Sequence, residues 1–464
     1  MRARARRLLG AAALGTLTFA AAARAHAQQP PMRAALPGKL TQCRTGSVDG
    51  PVLCGNYEVP ENRAVPGGRK VTLNLLVLPA TTDSVLDDPV FFLAGGGVVP
   101  ATRYARFLST ALPGLRRRRD IVLVDQRGTG GSNALTCDRA LLDTASGVPP
   151  DERYLRYIAA CRESLASRAD ARYYTTTVAM QDLDDVRAWL AYPRVNLYGA
   201  SYGTSAAATY IRLFPDRVRA VVMHGVVPLD VSMQVELARS AQQSLDRVLS
   251  LCDAESACRA AFPELRTDLA RVLAGAGPPV REALNAGLAS VPGIRTVPML
   301  IHEAALGVIA PDANGPRPGG PEPAPLGVRL SILCSEGLAN LDTVSIGRMT
   351  ARTFLGESVV RFQMHWCDGW PTLPLPADFR SPFRSATPAL LLTGDLDPIT
   401  PPAYADHVAT WFERVRVVRL PNRSHSDTDP CVTRLIERFI IAADATVTEA
   451  CLSSVPPIGF QTSR

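Results

Sequence analysis

The sequence predicts an α/β protein with a mainly parallel, doubly wound sheet that is interrupted by a helical insertion. Short continuous apolar runs, each bounded by Gly, Pro or Asp, recur along the 464 residues. Such runs are typical of strands that are buried on both faces. Stretches with helical spacing, such as 177–192 and 204–214, lie between these runs. The alternation stops between about residues 231 and 383, where we expect a cap of helices over the strand ends.

The expected elements divide the chain into three parts after its first 27 residues. The predicted strands are 70–79, 89–93, 120–124, 195–198, 220–223, 389–393 and 415–420. Residues 28–230 then form the first part of the core, residues 231–383 the cap, and residues 384–464 the rest of the core. The Pro- and Gly-rich stretch 311–325 is predicted to be a loop of the cap. A hydrophobic content of 47% and a charged content of 20% exclude a disordered chain.

Residues 1–27 have the pattern of an export signal. Four arginines lie within the first seven residues, an apolar stretch covers 8–23, and Ala-His-Ala at 25–27 fits a cleavage site, with 23–25 as a second option. No later segment approaches the roughly 18 apolar residues that a membrane-spanning helix needs. We therefore expect a secreted or periplasmic protein without a membrane span.

The net charge gives no reason to expect a nucleic-acid partner. The formal charge is +7, but five arginines lie in the first 27 residues, which contain no acidic residue, so the remainder carries only +2. A charge this close to neutral does not favour binding to nucleic acid or to a membrane surface. The arginine run 116–119 is the one basic cluster, and we expect it to be a solvated helix end. The oligomeric state is left open.

The ten cysteines predict structural disulfides. Their number is even, the chain contains no CxxC pair, and the expected compartment is oxidising, so disulfides are favoured over a metal site. The sequence does not determine the connectivity, although the local spacing favours neighbouring partners. These pairs are 43–54, 137–161, 252–258, 334–367 and 431–451.

A G-x-S-x-G motif at 199–203 identifies Ser201 as the candidate nucleophile. The motif follows the predicted strand 195–198 and precedes the predicted helix 204–214. A strand, a tight turn and a helix in this order form a nucleophile elbow, in which flanking glycines allow a strained turn that exposes the serine hydroxyl. The alternative is a glycine-rich turn with a structural serine.

A serine hydroxyl needs a base to remove its proton and a carboxylate to orient that base. After an elbow, the expected order along the chain is Ser, then Asp or Glu, then His. Asp397 follows the predicted strand 389–393, and His425 follows the predicted strand 415–420. Both residues would then project from the same sheet edge as Ser201. We therefore assign Asp397 as the orienting acid and His425 as the base.

Two other residues compete for these roles. Asp395 also follows the strand 389–393, but it falls in the turn itself, where backbone amides are its expected partners. His224, at the end of the predicted strand 220–223, is the rival base, although lining the substrate pocket is the better role for it.

Backbone amides are the expected donors to an oxyanion. One is the N–H of Tyr202, the residue that follows the nucleophile. The other should come from the triple glycine 95–97, which follows the predicted strand 89–93 and can approach a substrate closely because it lacks Cβ atoms. Gly96 is our choice, with Gly97 as the next candidate.

Three motifs carry a family resemblance over roughly residues 40–455. They are DQRGTG at 125–130, GASYGT at 199–204 and GDLDPITP at 394–401. With these motifs the chain resembles the proline iminopeptidase and tripeptidyl aminopeptidase branch of the α/β-hydrolases, peptidase family S33. The segments 334–336 and 367–371, together with Cys431, are similar to the exported, disulfide-bearing subgroup of that branch. One departure is AGGG at 94–97, where relatives often carry His-Gly-Gly-Pro.

The resemblance implies an α/β-hydrolase fold and aminopeptidase activity. An aminopeptidase needs an anion that binds the free ammonium of its substrate. Glu336 is the candidate, because the resemblance places it where the cap meets the core. The expected function is an exported serine hydrolase that releases N-terminal residues or short peptides through an acyl-enzyme. The substrate is a short peptide or a small amide or ester, and no metal or organic cofactor is implied.

Two alternatives remain open at this point. A carboxylesterase would use the same Ser, His and Asp on small esters and would need no ammonium-binding group. A catalytically silent binding protein on the same scaffold belongs to a different class, and its usual mark is the loss of one of these three residues.

Overall fold

The structure is a computed structural model of the 464-residue chain. It describes residues 39–45, 48–138, 140, 150–275, 278–308, 325–339, 341, 343–448 and 450–463. The export signal expected at 1–27 lies outside the described residues, and so does the loop expected at 311–325 except for Pro325. In the described ranges, no helix is both long and apolar enough to cross a membrane.

The described residues form one sheet of nine strands, in the order β1-β2-β3-β5-β4-β6-β7-β8-β9. The strands are β1 Thr41–Cys43, β2 Val52–Pro60, β3 Lys70–Leu78, β4 Val90–Leu93, β5 Ile121–Val124, β6 Val195–Ala200, β7 Val218–His224, β8 Ala389–Gly394 and β9 Val415–Leu420. The run from β5 through β4, β6, β7 and β8 to β9 is parallel, whereas β1, β2, β3 and β5 pair antiparallel. The predicted α/β fold with a mostly parallel sheet is therefore confirmed.

Helices cover both faces of the sheet. The helices are α1 Ala105–Ala111, α2 Pro113–Arg116, α3 Pro150–Ala166, α4 Thr176–Trp189, α5 Tyr202–Leu213, α6 Met233–Ala254, α7 Ser256–Ala261, α8 Leu265–Gly275, α9 Pro278–Leu288, α10 Val291–Ala305, α11 Leu326–Ile332, α12 Thr343–Thr350, α13 Ser358–His365, α14 Pro402–Ala409 and α15 Pro430–Ala442. Successive strand residues point to opposite faces, so Phe91 packs in one hydrophobic cluster with α4 and α5, and Phe92 packs in a second cluster with α1 and α15. Burying each such ring contributes about 1.5–3 kcal/mol.

The described part of the chain between β7 and β8 is helical and packs in two ways. Helices α6 to α10 form most of a separate hydrophobic cluster, which includes Leu245 and Ile294 and also Leu396 from the loop after β8. The later segment of the insertion, from α11 onwards, packs mainly in the hydrophobic cluster that contains Phe91, through residues such as Leu330 and Trp366. This arrangement sets the later segment against the sheet, close to the ends of the parallel strands. The boundaries at residues 231 and 383 stay a prediction.

All ten cysteines are paired as the local spacing favoured. The disulfides are Cys43–Cys54, Cys137–Cys161, Cys252–Cys258, Cys334–Cys367 and Cys431–Cys451. They close loops of between 6 and 33 residues in sequence separation. The Cys334–Cys367 bridge ties the segment after α11 to the segment after α13, and it thereby holds the later part of the insertion together.

The expectation of a solvated helix end at residues 116–119 is wrong for two of the four arginines. Arg116 and Arg119 are buried, at 7% and 5% exposure, while Arg117 and Arg118 are exposed. The short helix α2 ends at Arg116, and β5 begins only five residues later, at Ile121, inside the sheet. Arg119 is compensated there by the Asp88 carboxylate, at 2.9 Å. The burial is tolerated because a charged partner and hydrogen bonds replace water.

Candidate active site

Ser201 lies on a strained turn between β6 and α5. Its φ of 54° and ψ of −123° belong to a conformation that L-residues rarely adopt. The Ser201 N–H donates to the His224 carbonyl at 2.8 Å, which fixes the turn against β7. A Cβ at Gly199 would lie 2.3 Å from the Gly203 carbonyl oxygen, and a Cβ at Gly203 would lie 2.0 Å from the Leu93 carbonyl oxygen. Both glycines of the motif are therefore required by close backbone approach.

The structure brings the three predicted catalytic side chains together. His425 Nε2 lies 2.9 Å from Ser201 Oγ, and His425 Nδ1 lies 2.9 Å from Asp397 Oδ2. Asp397 follows β8 and is buried at 3% exposure, and His425 lies in the loop after β9. The carboxylate accepts the Nδ1–H, so the Nε2 lone pair faces the serine hydroxyl. A base and its orienting acid stand in this relation to a nucleophile in serine hydrolases.

The Asp397 carboxylate is held by its own turn. Its Oδ1 accepts hydrogen bonds from the backbone N–H groups of Ile399 and Thr400, each at 2.8 Å. The Thr400 hydroxyl donates to Oδ2 at 2.5 Å and lies 3.1 Å from His425 Nδ1. These donors fix the orientation of the Asp397 carboxylate and, through it, restrain the His425 imidazole. The sequence reasoning missed Thr400, although its place three residues after Asp397 in an acid turn was a usable signal.

The rival acid, Asp395, occupies the turn as expected. Backbone amides of Asn422 and Arg423 donate to its carboxyl group, and burial raises its pKa. Asp395 is thus bound by backbone amides, whereas the Asp397 carboxylate contacts the His425 imidazole directly.

The triple glycine 95–97 and the start of α5 lie next to the nucleophile. Tyr202 is the first residue of α5, where a backbone N–H has no partner within the helix. Gly95 approaches most closely, because a Cβ at this position would lie 3.2 Å from the Ser201 Cβ. Gly96 follows with a φ of 72° and lines the same cavity as Ser201 and Tyr202. Gly97, with a φ of 66°, faces the Tyr202 ring instead.

A cavity of about 760 Å³ lies above Ser201 and His425. Most of its wall is apolar, and residues from β4, α1, α11 and α13 contribute to it. Within the described residues, no Asp or Glu lines this cavity, and no group of three or more metal-ligating side chains is placed to hold an ion. The site therefore presents a mainly apolar surface to whatever enters it.

His224 lies at the end of β7 and lines this cavity. It is only 1% exposed, and neither of its ring nitrogens has a hydrogen-bond partner. Burial first, and the neighbouring His425 second, lower its pKa to about 4. His224 is therefore a neutral imidazole at neutral pH. Ser201 Oγ lies within hydrogen-bond distance of His425 Nε2, whereas the His224 ring nitrogens have no hydrogen-bond partner.

Glu336 lies behind Tyr202 rather than on the cavity wall. It belongs to a π-helical turn, Leu333–Gly337, that continues α11. Its carboxylate accepts hydrogen bonds from the Thr176 N–H and the Thr176 hydroxyl, both at 2.6 Å. The same hydroxyl lies 2.6 Å from the Tyr202 OH. Burial raises the Glu336 pKa to about 7, although the hydrogen bonds from Thr176 oppose that shift.

The DQRG motif contacts the hydrogen-bonded group formed by Glu336, Thr176 and Tyr202. Gln126 Nε2 donates to the Tyr202 OH at 3.2 Å. Arg127 is fully buried and binds the Asp182 carboxylate with two hydrogen bonds, at 2.6 and 2.7 Å. A bidentate, buried pair of this kind fixes the loop that carries Gln126. The roles of Gln126 and Thr176 were not predicted, because their contacts join segments that lie far apart in the sequence.

Two family models match the chain. One, described as alpha/beta hydrolase fold, matches residues 89–250, and the other, described as TAP-like protein, matches residues 353–450. The first covers the glycine loop and the Ser201 turn, and the second covers both Asp397 and His425. Each of the two segments that contribute to the site therefore matches one of these family models.

The chain is also similar to named bacterial proteins. Serine protease Hip1 of Mycobacterium tuberculosis is 26% identical over 243 residues, covering 48% of this chain and 46% of that protein. Putative hydrolase YuaR of Escherichia coli is 27% identical over 220 residues, with 45% and 44% covered. Tripeptidyl aminopeptidase of Streptomyces coelicolor is 31% identical over 193 residues, with 38% and 35% covered. The match thus spans less than half the length of each of these curated relatives.

The matched models, the relatives and the sheet agree with one another. The sheet is mostly parallel, and Ser201 lies on a strained turn after one of its strands. One matched segment contains Ser201, and the other contains Asp397 and His425. The chain therefore has the α/β-hydrolase fold, and it is similar in sequence to a serine protease and to a tripeptidyl aminopeptidase.

Proposed function

We propose that this protein is an exported aminopeptidase that releases N-terminal residues or short peptides through an acyl-enzyme on Ser201. The observation that carries the proposal is the continuous hydrogen-bonded line from Asp397 through His425 to Ser201, with 2.9 Å at each of its two steps. The similarity to a tripeptidyl aminopeptidase and to a serine protease supports peptides as the substrate class.

The proposed reaction has two halves, the formation and the hydrolysis of an acyl-enzyme, and Ser201, His425 and Asp397 take part in both. Ser201 Oγ attacks the scissile carbonyl while His425 Nε2 takes its proton, and Asp397 stabilises the imidazolium that forms. The N–H groups of Tyr202 and Gly96 bind the oxyanion. His425 then gives the proton to the leaving amine. In the second half, water attacks the acyl-enzyme while His425 takes its proton, and His425 then gives that proton to Ser201 Oγ as the bond to the acyl group breaks and the acid leaves.

Glu336 is proposed as the group that binds the substrate's ammonium. Each carboxylate oxygen has two lone pairs, so the bonds from Thr176 leave capacity for a further donor. Arg380 contacts Glu336 through the backbone carbonyl and not through the carboxylate. A bound ammonium would lower the raised pKa of Glu336 and keep it ionised. The neutral, unpartnered ring of His224 is proposed as a second substrate contact within the cavity.

A carboxylesterase remains the second candidate. It is favoured by one observation: no carboxylate lines the described wall of the cavity, and Glu336 lies behind Tyr202. Small apolar esters would fit such a wall without any ammonium-binding group. The same Ser201, His425 and Asp397 would perform the reaction.

We propose that the protein works outside the cytoplasm. Five disulfides link all ten cysteines, and disulfides persist in oxidising compartments such as the periplasm or the extracellular space. The arginine-rich, apolar pattern of residues 1–27 supports export. Amino-terminal sequencing of the protein recovered from the producing cell should find the chain beginning after residue 25 or residue 27.

The experiment that tests the aminopeptidase compares substrates with and without a free amine. Aminoacyl and tripeptidyl p-nitroanilides are assayed against their N-acetylated counterparts, with p-nitrophenyl esters alongside. We expect a strong preference for the free amine in the wild-type protein, a smaller preference in Glu336→Gln, and no turnover by Ser201→Ala. Equal rates with and without the acetyl group, together with fast ester turnover, would favour the carboxylesterase.

A further inference from the structure

One side chain with a permanent charge lines the cavity above Ser201. Among the described residues of this wall, Arg329 alone is a cation at every working pH. The side-chain amides on this wall, of Gln234 and Gln363, are neutral. No described Asp or Glu lines the wall, so the fixed charge of the described wall is positive.

Arg329 is oriented but has no polar partner among the described residues. Its guanidinium carbon lies 5.6 Å from the centroid of the Trp366 ring, a contact that holds the side chain on one side of the cavity. In the part of the chain that the structure describes, the guanidinium forms no ion pair and no hydrogen bond. The residue is exposed, so it lies where the cavity meets solvent. Its N–H donors are therefore available to a ligand.

We propose that Arg329 binds a carboxylate of the substrate and makes the enzyme selective for substrates that carry one. The planar guanidinium matches a carboxylate with two parallel hydrogen bonds, and this pairing gives both strength and orientation. The proposal rests on the proposed function, because it takes Ser201 as the nucleophile that acts on whatever this cavity holds.

The position of Arg329 on its helix gives a length preference for free peptides. Arg329 on α11 and Glu336 on the following turn are seven positions apart, which corresponds to roughly 10 Å along a helix axis at about 1.5 Å per residue. An extended peptide advances about 3.3–3.6 Å per residue. A peptide of about three residues would therefore reach from an ammonium at Glu336 to a C-terminal carboxylate at Arg329. An acidic side chain on the acyl residue is the second possible source of the carboxylate.

The test measures a ratio of two kcat/KM values, so it does not depend on how active each variant is. Trialanine is compared with trialanine amide, and Glu-Ala-Ala amide is compared with Gln-Ala-Ala amide. The proteins are the wild type, Arg329→Gln, Arg329→Lys and Arg361→Gln. Arg361 is the matched control, because it lies on α13 in an exposed pair with Glu357 at 3.0 Å. Thermal unfolding of each variant shows that it is folded.

We expect the wild type to favour the carboxylate-bearing member of one pair by about tenfold, as one charge-assisted bidentate contact allows. Arg329→Gln should bring that ratio close to one, Arg329→Lys should give an intermediate ratio, and Arg361→Gln should keep the wild-type ratio. A preference in the first pair identifies the C-terminal carboxylate as the ligand, and a preference in the second identifies the acyl side chain. Equal ratios in wild type and Arg329→Gln for both pairs would overturn the proposal.

Failure of the proposed function gives a different pattern. If the wild type cleaves none of the four peptides, the assay is repeated with p-nitrophenyl hemisuccinate and p-nitrophenyl butyrate. An Arg329-dependent preference for the hemisuccinate would then support the carboxylate site in an esterase and reject the aminopeptidase. No dependence on Arg329 with these esters would overturn the carboxylate site as well.

Discussion

The substitution Glu336→Gln tests the effect of burying this carboxyl group on the stability of the protein. Burial raises the pKa of Glu336 from its ordinary value of 4.5 to about 7 in the folded protein. Its folded pKa is thus above its unfolded value, so the folded state holds this proton more tightly. The contribution of Glu336 to stability is fully present below about pH 4.5 and is lost as the pH rises towards 7. The amide of the Glu336→Gln variant cannot titrate, so this variant loses nothing from that position over the same interval.

The magnitude follows from the size of the shift. One pKa unit corresponds to about 1.4 kcal/mol, so the full shift would be worth roughly 3 kcal/mol. Glu336 keeps some solvent exposure, and the two hydrogen bonds from Thr176 favour its ionised form. We therefore expect about half of the full value, ~1.5 kcal/mol, as the additional loss of stability in the wild type between pH 5 and pH 8.

Urea unfolding at pH 5 and pH 8, followed by far-ultraviolet circular dichroism, measures this difference. The wild-type protein should lose ~1.5 kcal/mol more than Glu336→Gln between the two pH values. Glu357→Gln is the matched control, because it removes an exposed carboxylate of the same insertion, and it should follow the wild type. If Glu336→Gln instead shows the same pH dependence as the wild type, the burial assigned to Glu336 is incorrect.

The remaining predictions concern the elbow, one disulfide and the buried histidine. Gly203→Ala should fail to give active, stably folded protein in activity and melting assays, because its Cβ would lie 2.0 Å from a β4 carbonyl oxygen, whereas Gly275→Ala has open space around it and should melt like the wild type. Replacing the Cys334–Cys367 bridge by two serines should cost about 3–4 kcal/mol in chemical denaturation, as expected for a loop of 33 residues, and no loss would show that packing alone holds this segment. His224 should titrate near pH 4 in an NMR titration of its ring, and titration near 6.5 would contradict its burial.

The parts of the fold that sequence reasoning predicted are those with a strong local pattern. Strands β4 to β8 are short, mainly apolar runs, β9 is rich in valine and leucine, and the proposed catalytic residues lie after β6, β8 and β9. In a parallel sheet such loops meet at one edge, so the approach of Ser201, Asp397 and His425 could be anticipated without any long-range information. The edge strand β1 and its neighbour β2 were missed, because β1 has only three residues and β2 is partly exposed and has no continuous apolar run.

The contacts that sequence reasoning missed join distant segments. The cluster of Gln126, Thr176, Tyr202 and Glu336 joins four parts of the chain that no periodicity relates to one another. Arg329 is an ordinary helical arginine in the sequence, and its place on the cavity wall depends on how the insertion packs against the sheet. The buried state of Arg119 likewise depends on its partner Asp88, 31 residues away.

The most direct test of the central claim is to find where a fluorophosphonate attaches. The probe forms a covalent bond only with a serine whose hydroxyl is activated by a base, and mass spectrometry of the digested protein locates the adduct. We expect one adduct, on Ser201, that is absent from Ser201→Ala and forms much more slowly on His425→Ala. Ser205→Ala is the matched control, since this serine lies one turn further along α5 and donates to the Val227 carbonyl, and it should be labelled like the wild type. Labelling of Ser201→Ala at the wild-type rate would contradict the account.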